Sequence, residues 1–403
     1  MKPSVGAGAH IGPPAEICKP SVGVGLCPAR AGLAPHSRQG TQAHPIQIMA
    51  VGRDPCVPPP IALLAKVSLA VAIRIPLRRT CGPHKNRVIS RDFSGFYTKL
   101  KFETPYKAEG GHIMRDYVLM TDSCCDLTDY MARELELEVL PLTMHMDGQD
   151  YPNDLAGTAI SNEEFYKRIR AGKLATTSAV NVGQFQDAMR RVLQSGKDIV
   201  CVCFSSALST TYQSAVIAAD DLRPEFPEAE IHVVDSLSAS LGQGLLLYLA
   251  AQQKKAGLTA AELAKWVEEN RLSICHWFTV DDLNYLKMGG RVSATTALVG
   301  TMLSIKPIMH TSDEGKLVPV SKARGRKAAI NALLDKIEAL AIRPEEQTMF
   351  ICHADCELDA RAVAQQIKDR FGTKTVYINY IGPVIGSHTG PNTMGIFFVG
   401  TQR

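Results

Sequence analysis

Ile199-Val-Cys-Val-Cys-Phe204 sets six apolar residues in a row between Asp198 and Ser205. Such a run reads as a strand buried on both faces, the kind found inside a parallel sheet. The chain then passes through Ser205, Ser206, Ser209, Thr210 and Thr211 into a pattern that predicts a helix over 212–222. A strand that opens through hydroxyls into a helix N-terminus makes an anion site, because free backbone N–H groups and the positive end of the helix dipole point outward there. Ser209 is placed to cap this helix and also to donate to a ligand oxygen. A capped helix and nothing more is the plain alternative, so the weight rests on whether other segments converge on the same place.

Tyr117-Val-Leu-Met-Thr121 predicts a first strand, ending in Asp122-Ser123-Cys124-Cys125-Asp126 before a helix over 127–135. A second strand is expected over 138–145, a hairpin turn at Asp147-Gly148, and a helix opened by the capping box Ser161-Asn-Glu-Glu164. A Thr177-Ser178 loop precedes a helix over 182–193, and a strand over 230–235 ends in Ser236-Leu-Ser-Ala-Ser240 before a helix over 241–255. Alternating strands and helices imply an α/β fold with a parallel sheet, whose ligands bind at the carboxyl ends of the strands. Three of those ends carry hydroxyls.

The second half predicts a helix over 262–272, a strand over 274–280 and a helix from Asp281 stopped by Gly289-Gly290. An apolar stretch covers 298–303, and strands are expected over 305–310 and 316–320. Lys322, Arg324, Arg326 and Lys327 form a basic cluster leading into a helix over 327–340. Strand 349–353, helix 358–371, strand 375–381, the segment Gly382–Gly390 and strand 394–400 complete the pattern. The expected division is a parallel-sheet domain over 115–280 and a mixed-sheet domain over 281–403.

Residues 1–113 differ from the rest. They hold 14 of the 23 prolines and carry 15 Lys+Arg against 5 Asp+Glu. From totals of 44 and 40, the remaining residues carry 29 basic and 35 acidic side chains, so the basic balance belongs to the leader and gives no support to nucleic-acid binding. Prolines break any sustained period in the leader. Its one apolar run, 61–73, is too short to span a bilayer and too far from the start for an ordinary signal peptide. A disordered basic tail, a targeting segment and translated upstream sequence all fit. The last is favoured because Met114 immediately precedes the first strand. Disorder is expected there.

The cysteines form no Cys-x-x-Cys pair, and no His-Glu-x-x-His occurs, so neither a metal site nor a redox motif is expected. Reduced buried thiols suit a cytoplasmic protein.

Several pieces together resemble the DegV family of fatty-acid-binding proteins, which includes the FakB subunit of bacterial fatty acid kinase. They are Thr121-Asp-Ser-Cys-Cys-Asp-Leu127, Ser161–Tyr166, Thr177-Ser178, Ser205–Ala215, Asp235-Ser236, Leu283–Ser293, Ile305-Lys-Pro-Ile308 and Gly382–Gly390. The resemblance runs from about Arg115 to the C-terminus. It implies a two-domain EDD fold holding one long-chain fatty acid in an apolar tunnel between the domains. The carboxylate would be held by Thr177 and Ser209, with Ser206 and His388 close by, Arg291 at the tunnel mouth, and no cofactor besides the bound acid. It further implies a carrier, not a catalyst, that presents the carboxylate to a separate ATP-using kinase for acyl-phosphate formation. Lys322, Arg324 and Arg326 would form a kinase-docking patch, and no integral membrane association is expected. Met288, Met302 and Met309 are candidates for the tunnel wall. The chain departs from the family at Ala179-Val180, where glutamine and proline are usual, and at Thr210, where glycine is usual. These departures bear on the head-group geometry.

Two other functions compete. A lipid hydrolase would need Ser209, His388 and Asp122 or Asp235 as a triad, but no Gly-x-Ser-x-Gly elbow surrounds a candidate serine. A nucleotide-binding module has only the parallel sheet in its favour, since both Gly-x-Gly-x-x-Gly and the phosphate-loop pattern are missing. His145, His232, His276, His310 and His353, on or beside strands, read as structural or surface residues.

Overall fold

The computed structural model describes residues 115–292 and 304–403. Expectations placed on 1–113, Met114, Ser293 and the apolar stretch 298–303 with Met302 lie outside the described residues. The first strand, β1 (Tyr117–Asp122), ends in a 3-10 turn and leads to α1 (Asp129–Glu134). This helix starts later than expected because Thr128 is its N-cap, accepting the Met131 N–H. Two strands, β2 (Leu137–Leu140) and β3 (Thr143–Met146), stand where one was expected over 138–145. Pro141 lies between them, and without an N–H it cannot continue a ladder, so the chain leaves one sheet and enters another. The expected hairpin turn joins β3 to β4 (Gln149–Pro152); Asp147 and Gly148 both take positive φ, 54° and 77°, as a two-residue hairpin loop requires.

Next come α2 (Asn162–Arg170), β5 (Ala175–Ser178), α3 (Val182–Gln194), β6 (Asp198–Cys203), α4 (Thr211–Leu222), β7 (Ile231–Asp235), α5 (Leu241–Lys255) and α6 (Ala260–Asn270). β8 (Ile274–Thr279) and the short α7 (Asn284–Met288) follow. The later part contains β9 (Ile305–Thr311), β10 (Leu317–Arg324), α8 (Arg326–Leu340), β11 (Thr348–His353), α9 (Glu357–Phe371), β12 (Thr375–Tyr380), α10 (Pro383–Thr389) and β13 (Met394–Val399).

The strands form three sheets. One is all parallel with order β2-β1-β6-β7. Its inner strand β6 is buried at every position, as its uniform hydrophobicity required. A small antiparallel sheet has order β4-β3-β5, so Thr177 lies on a strand and not in the expected loop. The third is a mixed sheet of order β10-β9-β8-β13-β11-β12, parallel only between β11 and β12. It corrects the expected boundary at 280/281. β8 hydrogen-bonds to β13 and β9, so the mixed sheet takes in chain from Ile274 onward.

α5 explains how the sheets share one interior. It packs on β8, β11 and β13 and on the 3-10 turn after β1. Leu245, Leu246 and Leu247 are almost fully buried there, in one cluster with β6 and with Phe350 and Phe397. Each such side chain contributes about 1.5–3 kcal/mol. The opposite face of the mixed sheet is covered by α8 and α9 through Leu333, Leu334, Val363 and Ile367.

Candidate ligand-binding site

Three segments meet at the carboxyl end of β6. The first is the loop from β6 to α4. Buried Asp122 fixes its start by accepting the N–H of Phe204 at 2.7 Å while also accepting that of Cys124 at 3.0 Å. Burial pushes the Asp122 carboxyl up to about 6, against the pull of those N–H donors. The Ser205 hydroxyl donates to the Gly315 carbonyl at 2.9 Å, tying the β9–β10 turn to the loop. Ser209 was expected to cap α4, but the helix begins at Thr211 and Thr210 is its N-cap, with no side-chain capping bond. Ser209 instead closes a tight turn, its Oγ accepting the Thr211 N–H at 3.2 Å and lying 2.9 Å from Thr211 Oγ1.

The second segment is α10, a helix within Gly382–Gly390, where no helix was expected. The signals were present: proline at the first helical position and glycine just after the last. Asp126 anchors its start, accepting the Gly382 N–H at 3.0 Å and the Ser240 hydroxyl at 2.6 Å. Burial raises this carboxyl to about 7. At the other end of α10, His388 Nε2 lies 2.8 Å from Thr177 Oγ1 on β5. Burial first, and then the Arg291 charge, lower the His388 pKa to about 4, so the ring is neutral at pH 7.

The third segment is the turn after α7. Arg291 Nε donates to the Leu208 carbonyl at 3.1 Å and Nη1 donates to that of Gly289. The guanidinium therefore staples this turn to the β6–α4 loop.

Between the three segments lies a cavity of about 380 Å³, within the usual range for small-molecule sites, about 300–1,000 Å³. Thr177, Ser206, Ser209, Thr210, Arg291, His388 and Thr389 supply its polar lining. Leu142, Phe204, Leu208, Leu286, Leu317 and Val384 supply much of the apolar wall. Ser206 and Thr210 are exposed and mark the opening. Of the described lining residues, Arg291 alone carries a charge at neutral pH, and no carboxylate faces the space. Such a lining suits an anionic head, which accepts hydrogen bonds, joined to an apolar body.

The four predicted carboxylate-binding residues, Thr177, Ser206, Ser209 and His388, and the predicted tunnel-mouth residue Arg291 line this one cavity. Ser206 sits at the rim, and its N–H is taken by the Asp235 carboxylate at 3.2 Å. The basic cluster does not hold together. Lys322 and Arg324 are exposed on β10, whereas Arg326 is turned inward. Its Nε donates to Asp359 at 3.0 Å and its Nη1 to the Asn392 carbonyl at 2.6 Å. Met288 is 64% exposed and Met309 is buried beside Phe278 and Leu286, and neither lines the cavity.

The hydrolase triad is not assembled. His388 bonds Thr177 and not Ser209, and its Nδ1 is buried with no partner among the described residues. Asp122 and Asp235 both accept backbone N–H groups of the loops instead. The wall residues Leu142, Leu286, Val384 and Ile385 were not foreseen. Two of them belong to the unrecognised α10, and its Pro383 and Gly390 were the signal that would have found them. Among the described residues, no three His, Cys, Asp or Glu side chains are grouped to hold a metal ion. No described helix is long and apolar enough to cross a membrane.

A DegV domain-containing protein of Clostridium perfringens is 42% identical over 290 residues, covering 72% of this chain and 99% of the relative. A solved DegV family protein from Thermus thermophilus, described for its fatty acid binding, is 29% identical with a TM-score of 0.63, covering 71% of this chain and all of that one. A Streptococcus pneumoniae fatty acid kinase (Fak) B3 protein loaded with linoleic acid has a TM-score of 0.61 over 70% of this chain and 99% of its own. At 19% identity it shows the fold alone. The family model described as "Uncharacterised protein, DegV family" matches residues 117–401, and the chain belongs to that family.

Proposed function

We propose that this protein binds one long-chain fatty acid in the cavity at the end of β6 and presents the carboxylate to a separate ATP-dependent fatty acid kinase, which forms the acyl phosphate. The observation that carries the reading is the convergence of Thr177, Ser209 and His388 with Arg291 on one largely apolar space. A carboxylate accepts hydrogen bonds only, so it meets hydroxyl donors and a nearby guanidinium. The acyl chain needs apolar walls alone, at about 0.8 kcal/mol per buried methylene. The fatty-acid-binding relative from Thermus thermophilus supports the ligand class, and the fold shared with the Streptococcus pneumoniae protein is compatible with the carrier role. On this reading the protein is a carrier without catalysis of its own and works in the cytoplasm, beside the ATP pool. Exposed Lys322 and Arg324 are the remaining candidates for the kinase contact.

Native mass spectrometry of the full chain purified from bacteria, followed by lipid extraction, tests the ligand. One fatty acid per chain is expected. A protein that is empty and takes up neither palmitate nor oleate refutes the reading. Acyl-phosphate formation that requires this protein, a kinase subunit and ATP together supports the carrier role, and turnover of an ester by this protein alone counts against it.

A further inference from the structure

We infer that Gly289 is a positioning residue: packed against the Nδ1 edge of His388, it fixes the ring proton on Nε2 and so makes Thr177 a hydrogen-bond donor toward the cavity. This rests on the carboxylate reading for what Thr177 meets, but not for the state of the ring. The two neighbouring glycines have different reasons. Gly290 has φ of 71°, which side-chain-bearing residues rarely adopt. Gly289 has φ of −71° and ψ of −11°, a conformation open to any residue. What excludes a side chain at 289 is space. A Cβ there would lie 2.2 Å from His388 Nδ1 and 3.2 Å from Cγ.

The backbone at 289 is fixed, so a Cβ could be accommodated only by displacing the His388 ring from Thr177. The Gly289 N–H donates to the Tyr285 carbonyl at 3.0 Å, and its own carbonyl is held by Arg291. The ring is held on its far side by Thr177. Nδ1 therefore faces a Cα methylene and has no hydrogen-bond partner among the described residues. An orphaned buried N–H is rarer than an unused acceptor, and a lone pair tolerates a Cα–H neighbour as a weak contact. The proton accordingly belongs on Nε2, which donates to Thr177 Oγ1. The hydroxyl then keeps its own proton for the ligand. In the opposite tautomer the Thr177 proton goes to Nε2, and only lone pairs would face a carboxylate, which can accept but not donate.

The test is nitrogen NMR of the full chain labelled with ¹⁵N-histidine, the His388 signals being identified by their loss in His388→Gln. In the ligand-free wild type, Nε2 is expected as a protonated, pyrrole-type nitrogen and Nδ1 as a bare, pyridine-type nitrogen. In Gly289→Ala the ring signals are expected to move, with fatty-acid Kd raised roughly 5- to 100-fold and the cooperative melt retained, since alanine fits this backbone. A protonated Nδ1 in the wild type overturns the inference, as does a Gly289→Ala variant with unchanged ring signals and affinity. If that variant fails to fold, the wild-type spectrum decides by itself. A wild type that binds no fatty acid refutes the carboxylate reading, and the ring spectrum still judges the tautomer.

Discussion

Replacing Thr177 with valine removes one hydroxyl and little volume, so its effect isolates the polar contribution. In the ligand-free protein the hydroxyl makes the one hydrogen bond that the His388 ring has among the described residues, at 2.8 Å. Its loss leaves both nitrogens of a half-buried neutral imidazole unpaired and should cost about 1–3 kcal/mol of stability. In the complex the variant also loses a bond to an ionised acceptor, about 1.5–3 kcal/mol, equivalent to roughly a 10- to 150-fold rise in Kd. The acyl chain keeps its walls, so binding weakens but persists. Isothermal titration of delipidated full chain with oleate, beside thermal melts, measures both numbers. Thr177→Ser retains the hydroxyl and should stay within a few-fold of wild type. A valine variant that melts cooperatively and binds within twofold of wild type would refute the placement of the carboxylate at Thr177.

Ser209→Ala should weaken fatty-acid binding by roughly 1–3 kcal/mol, read by the same titration; unchanged affinity would remove Ser209 from the site. Asp126 gives a pH test: its folded pKa, raised to about 7, lies above the ordinary carboxylate value, so the native state holds the extra proton and stability falls as pH rises from about 4 to 7. Asp126→Asn should flatten that fall, leaving the variant more stable relative to wild type at pH 8 than at pH 5 in urea unfolding, while His388, lowered to about 4, contributes the opposite slope between about 4 and 6.5 in both proteins. Arg326→Ala should lower Tm by breaking its bonds to Asp359 and Asn392, whereas Lys322→Ala with Arg324→Ala should leave Tm nearly unchanged and slow only kinase-dependent acyl-phosphate formation.

What could be read in the sequence follows from how local each determinant is. β6 was legible because burial on both faces leaves a continuous apolar run, and the helix after it because the hydroxyl cluster announces a turn. The place of β8 was not legible. It is buried at every position, and only its pairing with β13, more than a hundred residues later, assigns it to the mixed sheet. α10 was written in its ends, proline and glycine, but its seven residues hold too little periodicity to reveal a helix. Arg326 looked like its basic neighbours, and only the tertiary position of Asp359 and Asn392 turns it inward. Thr177 and His388, 211 positions apart, came from the family resemblance, because nothing in local pattern pairs a strand threonine with a helix-end histidine.

The disposition of Arg291 has a chemical consequence for the carrier reading. A guanidinium presented end-on to a carboxylate would form two parallel bonds and neutralise both oxygens, a good clamp but a poor way to hold a nucleophile. Here two edges of the guanidinium are already committed to the Leu208 and Gly289 carbonyls. Arg291 is thus arranged to supply a positive potential and to rigidify the rim, while hydroxyls do the hydrogen bonding. An acid held mainly through neutral donors keeps lone pairs free to attack a phosphoryl group, and the exposed Ser206 and Thr210 leave the approach open from solvent. Affinity then comes from the buried chain and reactivity from the lightly held head, so that substitutions in the apolar wall should act on Kd and those at the rim on transfer to the kinase.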